Sequence, residues 1–250
     1  MNIKNLEWDY TNLASSYDKR ADYSDQAIEN VLESIEIKPG TLVADIGAGT
    51  GKLTKKLLKN KLAVRAIEPN DSMRGYGIKN TAGGNVEWLD GTGENTTLPP
   101  NKFYATFFGS SFNVLNQEKA LNEVKRILIP KGWFICMWNH RNLNDVIQKE
   151  VEAIIRKFVP EYNYGLRREN QTSVINNSGL FGQVQETQGD LINKVKTADY
   201  IEAWKSHATL ERQAKEKFYD VINNIEKTLS GKTEIVVPYT TRIWFAQLKS

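Results

Sequence analysis

Three glycines at alternate positions, Gly47, Gly49 and Gly51, follow the apolar run Val43-Ala44-Asp45-Ile46 and lead into the helical pattern that opens at Lys52-Leu53. Glycine lets a backbone turn sharply and approach a ligand with no Cβ in the way. Such a turn delivers the chain to a helix N-terminus, where unpaired N–H groups and the dipole favour negative charge. The chemistry on offer is nucleotide binding, and spacing narrows the nucleotide. A dinucleotide turn reads G-x-G-x-x-G. Here Gly51 comes one residue early, and Lys52 stands where the third glycine belongs. A P-loop reads G-x-x-x-x-G-K-[ST]. Ile46 occupies its first glycine position and Leu53 its hydroxyl position. Neither phosphate pattern is met, and a plain strand-to-helix turn is the alternative.

Acids placed after the glycines favour the nucleotide reading. Residues 62–70 read as a strand ending in Glu68-Pro69-Asn70. A carboxylate there accepts hydrogen bonds from both ribose hydroxyls of a nucleoside. Residues 85–92 form another strand pattern ending in Asp90-Gly91-Thr92, where an acid meets an adenine amine. Residues 103–112 end in the small polar pair Ser110-Ser111. Acid-tipped strands after a glycine turn suit a nucleoside that lacks phosphates.

With VADIGAGTGKLTKKL, RAIEPNDSM, VEWLDGTGENTTLP and EVKRILIPKGWFICMWN in this order, the chain resembles the class I S-adenosylmethionine-dependent methyltransferases. The resemblance covers roughly residues 41–139. The ASSYDKR segment at 14–20 and the late IVVPYTTRIWFAQ segment are similar to the small-molecule, trans-aconitate methyltransferase-like branch. It implies S-adenosylmethionine as cofactor and an in-line methyl transfer. It also implies residue roles. Gly47, Ala48, Gly49 and Gly51 pass beside the methionine moiety, and Asp45 orients the turn or reaches the ammonium through water. Tyr17 and Arg20 take the methionine carboxylate, and Glu68 with Pro69 meets the ribose. Asn70 and Met73 flank the adenine, Asp90, Gly91 and Thr92 its far edge, and Ser110 faces the sulfonium. Relatives in that branch often carry Phe-His-Trp past the fourth strand, where this chain has Phe112-Asn113-Val114. Asn113 orients a nucleophile but cannot act as a general base. The catalytic group is thus unassigned, with Asn113, His207 and Tyr17 as candidates.

Substrate contacts are expected from Asn113, from Trp138, Asn139 and Arg141 after the fifth strand, from Tyr162 and Tyr164 in a presumed lid, and from His207. The carboxyl ends of sheet strands open onto such sites. Five of these have a plainer alternative: core for Trp138, a surface ion pair for Arg141, loop pinning for the two tyrosines, and a helix cap or buried structural role for His207.

The elements that position these residues follow from periodicity. Residues 24–35, 117–128 and 143–159 repeat apolar residues at helical spacing, and strands alternate with helices up to Trp138. The expected fold is α/β: a Rossmann-like, doubly wound sheet of seven strands, mostly parallel, with an antiparallel last strand. A helical entry segment (1–37) is expected to form a lid over the cofactor-binding core (41–139). A helix and irregular lid insertion (140–181) and C-terminal strands and helices (182–250) complete one methyltransferase domain. The last two strands are placed at 181–190 and 233–248, with helices 198–206 and 210–229 between them.

Composition sets further bounds. A chain of 250 residues with 40% apolar residues buries one substantial core. One cysteine, Cys136, excludes an internal disulfide, and two histidines leave little for a metal, so none is expected. A net charge of +3 with interleaved signs argues against nucleic acid. No apolar run approaches a membrane span, and no signal-type segment opens the chain, so a cytoplasmic protein is expected, as monomer or homodimer. The reading is methyl transfer to oxygen or nitrogen of a small molecule. Alternatives are N-methylation of the amino terminus of a short peptide, which needs acids or amides to hold a cationic amine, and a cofactor-binding protein without transfer.

Overall fold

A computed structural model describes residues 10–249, apart from the side chains of Leu166 and Arg167. Expectations for residues 1–9 of the entry segment lie outside the described residues. In chain order, α1 (Ala14–Asp18) and α2 (Asp25–Ser34) precede β1 (Leu42–Ile46), α3 (Lys52–Lys59), β2 (Ala63–Ile67), α4 (Asp71–Asn80) and β3 (Val86–Leu89). Then come β4 (Phe103–Gly109), α5 (Gln117–Ile127), β5 (Leu128–Arg141), α6 (Val146–Phe158) and α7 (Thr172–Asn177). The chain closes with β6 (Gln185–Lys196), α8 (Thr197–Lys205), α9 (Ala208–Ala214), α10 (Phe218–Leu229) and β7 (Glu234–Gln247).

The seven strands form one sheet in the order β3-β2-β1-β4-β5-β7-β6. Strands β1 to β5 pair in parallel, and β7 runs antiparallel to both β5 and β6. This is the Rossmann-like methyltransferase architecture expected above. The order reverses between β1 and β4, and ligands bind at such a switch point outside the carboxyl ends of the strands.

Successive side chains on a strand face opposite sides, and the core divides accordingly. Phe107, Ile135 and Met137 join α2 and α3 residues in one cluster. Phe108, Phe134 and Cys136 join α5 residues in the other. Burial on both faces explains why β4 and β5 read as near-continuous apolar runs. A third cluster unites α6, α8, α9 and α10 with Ile235 and Val237 of β7. The β6–β7 ladder continues to Lys196–Glu234, whereas the β5–β7 ladder stops at Arg141–Tyr239. The two long strands thus run past the end of β5 and carry a helical cap.

Four boundaries differ from the sequence reading. The penultimate strand starts at Gln185, not at residue 181, and runs to Lys196; Phe181 makes only an isolated bridge to Leu248. As an edge strand with one solvated face it alternates polar residues, which conceals it from a search for apolar runs. The single helix expected at 210–229 is divided at Lys215, whose φ is +52°. The helix expected from 143 begins at Val146, because the Asp145 carboxylate accepts the Gln148 amide at 3.0 Å as an N-cap. The insertion expected to be irregular contains a 3-10 turn (Gly165–Arg168) and α7, which Ile175 anchors in the core.

Candidate cofactor and acceptor site

The glycine turn joins β1 to α3 at the switch point. Gly47, Gly49 and Gly51 have φ of +69°, +58° and +83°, a region that favours glycine. A Cβ on Gly47 would sit 2.5 Å from Ser111 Cβ, so the segment that follows β4 packs directly on the turn. The turn's amides point inward. Gly47 and Ala48 N–H groups donate to Ile67 O at 2.8 and 2.9 Å, Gly49 N–H to Glu68 Oε2 at 2.9 Å, and Gly51 N–H to Ala48 O at 2.9 Å. A phosphate cradle needs amides directed at the ligand. These are consumed inside the protein, which suits a cofactor that brings no phosphate to the turn.

Glu68 is almost fully buried rather than exposed at a strand tip. Its Oε1 accepts the Asn70 amide at 2.9 Å, so each oxygen holds one backbone donor and keeps a lone pair for a ribose hydroxyl. Burial raises its pKa, against the pull of the two amides. Asp45 is completely buried behind the turn. Its Oδ2 accepts the Thr54 hydroxyl at 2.6 Å, which ties β1 to α3, while Oδ1 has no partner. Burial pushes its pKa up to about 7, although the Thr54 hydrogen bonds oppose the shift. Asn70 caps α4 by accepting the Met73 amide at 3.0 Å, and Met73 is buried with its methyl group over Gly49. Pro69 is half-buried between Glu68 and Asn70. Asp90 is exposed, Gly91 is buried against Ile67, and Thr92 bridges to Asn95.

The entry helix α1 covers this groove. Tyr17 lies beside Gly49, within 3.8 Å of where its Cβ would be, and the Arg20 guanidinium stacks on the Tyr17 ring at 4.2 Å. Arg20 Nε donates to Ser206 Oγ at 3.0 Å, and its terminal nitrogen donates to the Ser206 carbonyl. Arg20 is thus tied to the end of α8, beside Tyr17.

A cavity opens between α1, the ends of β4 and β5, the β6–β7 arm and α8. Its wall includes Tyr17, Arg20, Ser110, Asn113, Trp138, Asn139, Arg141, Tyr164 and His207 of the expected residues. Ser110 sits at φ +60°, and its hydroxyl shares a hydrogen bond with Tyr23 OH at 3.1 Å. Asn113 Oδ1 accepts the Trp138 indole N–H at 2.9 Å. The indole can only donate, so the Asn113 amide nitrogen is free of that bond and offers donors. Trp138 itself is core, 1% exposed and packed edge-on against Trp244. Asn139 is held at both ends, by Asp22 O at 2.6 Å and the Thr241 hydroxyl at 2.6 Å. His207 stacks on Trp204 at 4.8 Å, and its Nδ1 accepts the Leu210 amide at 3.3 Å as the cap of α9. In the neutral ring that leaves the proton on Nε2, an arrangement unsuited to accepting one.

Tyr162 is a correction. It is buried in the third cluster and lies outside the cavity wall, packed edge-on against Tyr164 at 5.3 Å. Sequence reasoning also missed Tyr23, Lys52, Tyr200, Trp204 and Tyr239, all of which line the cavity. Tyr200 and Trp204 sit four apart on α8, a spacing that puts them on one helix face; that pattern was available as a signal. Nothing in the sequence marks Tyr239. Among the described residues, no group of three or more His, Cys, Asp and Glu side chains is placed to hold a metal.

Comparison with known proteins agrees with this geometry. Residues 44–136 match the family model described as a methyltransferase domain. The ubiquinone/menaquinone biosynthesis C-methyltransferase of a Caulobacter species is 24% identical over 179 residues, covering 64% of this chain and 70% of that one. An uncharacterized methyltransferase of Mycobacterium tuberculosis is 29% identical over 140 residues, covering 56% and 55%. Among solved structures, a Haemonchus contortus phosphoethanolamine N-methyltransferase in complex with S-adenosyl-L-methionine has a TM-score of 0.58 at 13% identity, covering 99% of this chain and 59% of that one. The fold is that of the class I S-adenosylmethionine-dependent methyltransferases. Residues 44–136 are a methyltransferase domain carried on that fold. It spans only about half the length of the mycobacterial relative.

Proposed function

We propose that the protein transfers a methyl group from S-adenosylmethionine to a small-molecule acceptor held in the cavity. The observation that carries this reading is the pairing of the Gly49 amide with Glu68 Oε2 at 2.9 Å, in a turn whose Gly47, Ala48 and Gly51 amides are also consumed. The turn leaves a nucleoside's hydroxyls, not its phosphates, as the groups to bind. Glu68 would hold the ribose, Tyr17 and Arg20 the methionine carboxylate, and Asn70 with Met73 the adenine. Asp45 Oδ1 and Thr50 Oγ1, both buried without partners beside the turn, fit the polar methionine end. The cofactor supplies an electrophilic methyl on a positively charged sulfur.

The chain's own residues contribute orientation, worth up to about 7–11 kcal/mol when the reacting groups are well aligned. Asn113, fixed by Trp138, presents its amide donors to an acceptor oxygen, nitrogen or carbon-bound carbonyl. Among the described residues no carboxylate lines the cavity, which supports positioning rather than proton abstraction as the protein's part. The amino-terminal peptide alternative loses ground, because the described residues of the cavity wall include five cationic side chains and no carboxylate to hold a cationic amine.

Calorimetric titration with S-adenosylhomocysteine, NAD and ATP tests the cofactor. Binding of S-adenosylhomocysteine alone is expected; tight NAD binding with no response to S-adenosylhomocysteine would overturn the reading. Release of S-adenosylhomocysteine from labelled cofactor across a panel of small acceptors tests the transfer.

A further inference from the structure

The cavity has a second end. The β4–β5 register sets Gly109 level with Met137, and Arg141 lies four residues further along β5. At ~3.3 Å per residue, its backbone is about 13 Å beyond the level where β4 ends beside Ser110. Arg141 stands directly opposite Tyr239 across the β5–β7 ladder. Its guanidinium lies 4.3 Å over the Trp204 ring and 5.9 Å from the Tyr164 ring. Its Nη1 is buried and has no hydrogen-bond partner. Among the described residues no carboxylate lies within ion-pair distance of Arg141. The nearby Glu152 is occupied by the Tyr164 hydroxyl and by Arg156 at 2.8 Å.

The surroundings add donors and positive charge. Arg168 lies over the Tyr164 ring at 4.3 Å and donates to the Arg141 carbonyl at 2.8 Å. Two guanidiniums therefore approach one aromatic ring, and among the described residues neither forms an ion pair with a carboxylate. Tyr200 OH accepts the Gln148 amide at 3.0 Å, which leaves its own proton to donate. Burying a charged donor without an acceptor is costly. The cavity holds such a donor at a place where an acceptor's far end would reach.

We propose that Arg141, clamped between Trp204 and Tyr164 and assisted by the Tyr200 hydroxyl, anchors an anionic group, carboxylate or phosphate, of the methyl acceptor at the end remote from Ser110 and Asn113. This rests on the reading of the cavity as the acceptor site. The anion is an anchor and not the methylated atom, and the aromatic walls select an apolar body between the two ends.

The test uses the full chain saturated with S-adenosylhomocysteine, titrated calorimetrically with 3-phenylpropanoate, 3-phenylpropyl phosphate, 3-phenylpropanamide and 3-phenylpropylamine. At least one anion is expected to bind at least about tenfold tighter than the amide, the amine not measurably, because charge-assisted hydrogen bonds exceed neutral ones by that much. The order of carboxylate and phosphate tells which group the site is built for. Arg141→Gln should bring the anions down to the level of the amide while S-adenosylhomocysteine still binds. Arg141→Lys should keep part of the preference, since it retains charge but loses the planar fork. Equal binding of amide and anions by the wild type overturns the proposal, as does an unchanged anion preference in a folded Arg141→Gln protein. If Arg141→Gln does not fold, the wild-type ranking and Arg141→Lys decide it. Failure of the wild type to bind S-adenosylhomocysteine overturns the methyltransferase reading as well, which separates the two failures.

Discussion

The Trp138 indole N–H donates to Asn113 Oδ1 at 2.9 Å, so a core residue of β5 sets the orientation of a polar residue at the mouth of β4. An indole cannot accept, and this single bond decides which end of the Asn113 amide faces the cavity. Trp138→Phe keeps an aromatic ring, removes the donor and leaves a cavity where the larger indole stood. It should cost about 2–4 kcal/mol in urea unfolding, from the cavity, the lost bond and the unsatisfied amide oxygen. A double-mutant cycle with Asn113→Leu should return a coupling of about 1 kcal/mol. A coupling near zero would mean that Trp138 serves only as packing.

Glu68 carries two duties that the sequence does not separate. It is expected to hold the ribose, and in the structure it also holds the Gly49 and Asn70 amides. Glu68→Ala should weaken S-adenosylhomocysteine binding by about 1.5–3 kcal/mol and should also lower the melting temperature, because two backbone donors lose their acceptor. Glu68→Gln keeps one acceptor oxygen and should recover part of both losses. Calorimetry and thermal melts on the same samples separate the duties. Unchanged affinity with a lowered melting temperature would leave Glu68 a purely structural residue.

Asp45 makes stability depend on pH. Its folded pKa, pushed up to about 7 by burial, lies above the unfolded value near 4. Between those values the folded state keeps a proton that the unfolded state has released. Stability should therefore fall as pH rises from about 4 to about 7, and level off above. The total is on the order of 2–4 kcal/mol, with Glu68, raised by burial in the same direction, adding to the slope. Asp45→Asn keeps an acceptor for the Thr54 hydroxyl and should flatten the profile. Urea midpoints at a series of pH values for both proteins check this; parallel profiles would show that Asp45 does not titrate in this window.

The glycine turn, the acid after β2 and the alternation of strands and helices were legible because each leaves a local pattern: fixed spacing, a strand tip, a period. The capping of α6 by Asp145 and the division at Lys215 were not, since a cap and a left-handed residue shift boundaries without altering periodicity. The acceptor end of the cavity was the least legible. Arg141 and Tyr239 are 98 residues apart in sequence and meet only through the antiparallel register of β5 and β7. Tyr162 and Tyr164 looked alike in sequence. A two-residue offset put one in the helical core and the other in the cavity wall.

The last prediction concerns α1, expected from the sequence to act as a lid. In the structure it is docked, and polar contacts hold it on both sides. The Ser16 hydroxyl donates to Glu202 at 2.5 Å, Lys19 pairs with Asp199 at 3.1 Å, and Arg20 donates twice to Ser206. On the other side Asn80 donates to Asp18 at 3.0 Å. Lys19 and Asp199 are substantially exposed, and such pairs contribute little. A five-residue helix is too short to stand alone. These contacts are therefore enough to dock α1 but not to lock it, and a bound cofactor touching Tyr17 and Arg20 should add the difference. Amide exchange of residues 14–20 should be measurable in the free protein and slow at least about fivefold with saturating S-adenosylhomocysteine, a free-energy gain of about 1 kcal/mol. Arg20→Ala removes the Ser206 bonds and the stacking on Tyr17. It should speed exchange of α1 in the free protein and weaken S-adenosylhomocysteine binding together. Equal protection with and without ligand would make α1 a fixed wall. Faster exchange in Arg20→Ala with undiminished affinity would confine Arg20 to holding the helix in place.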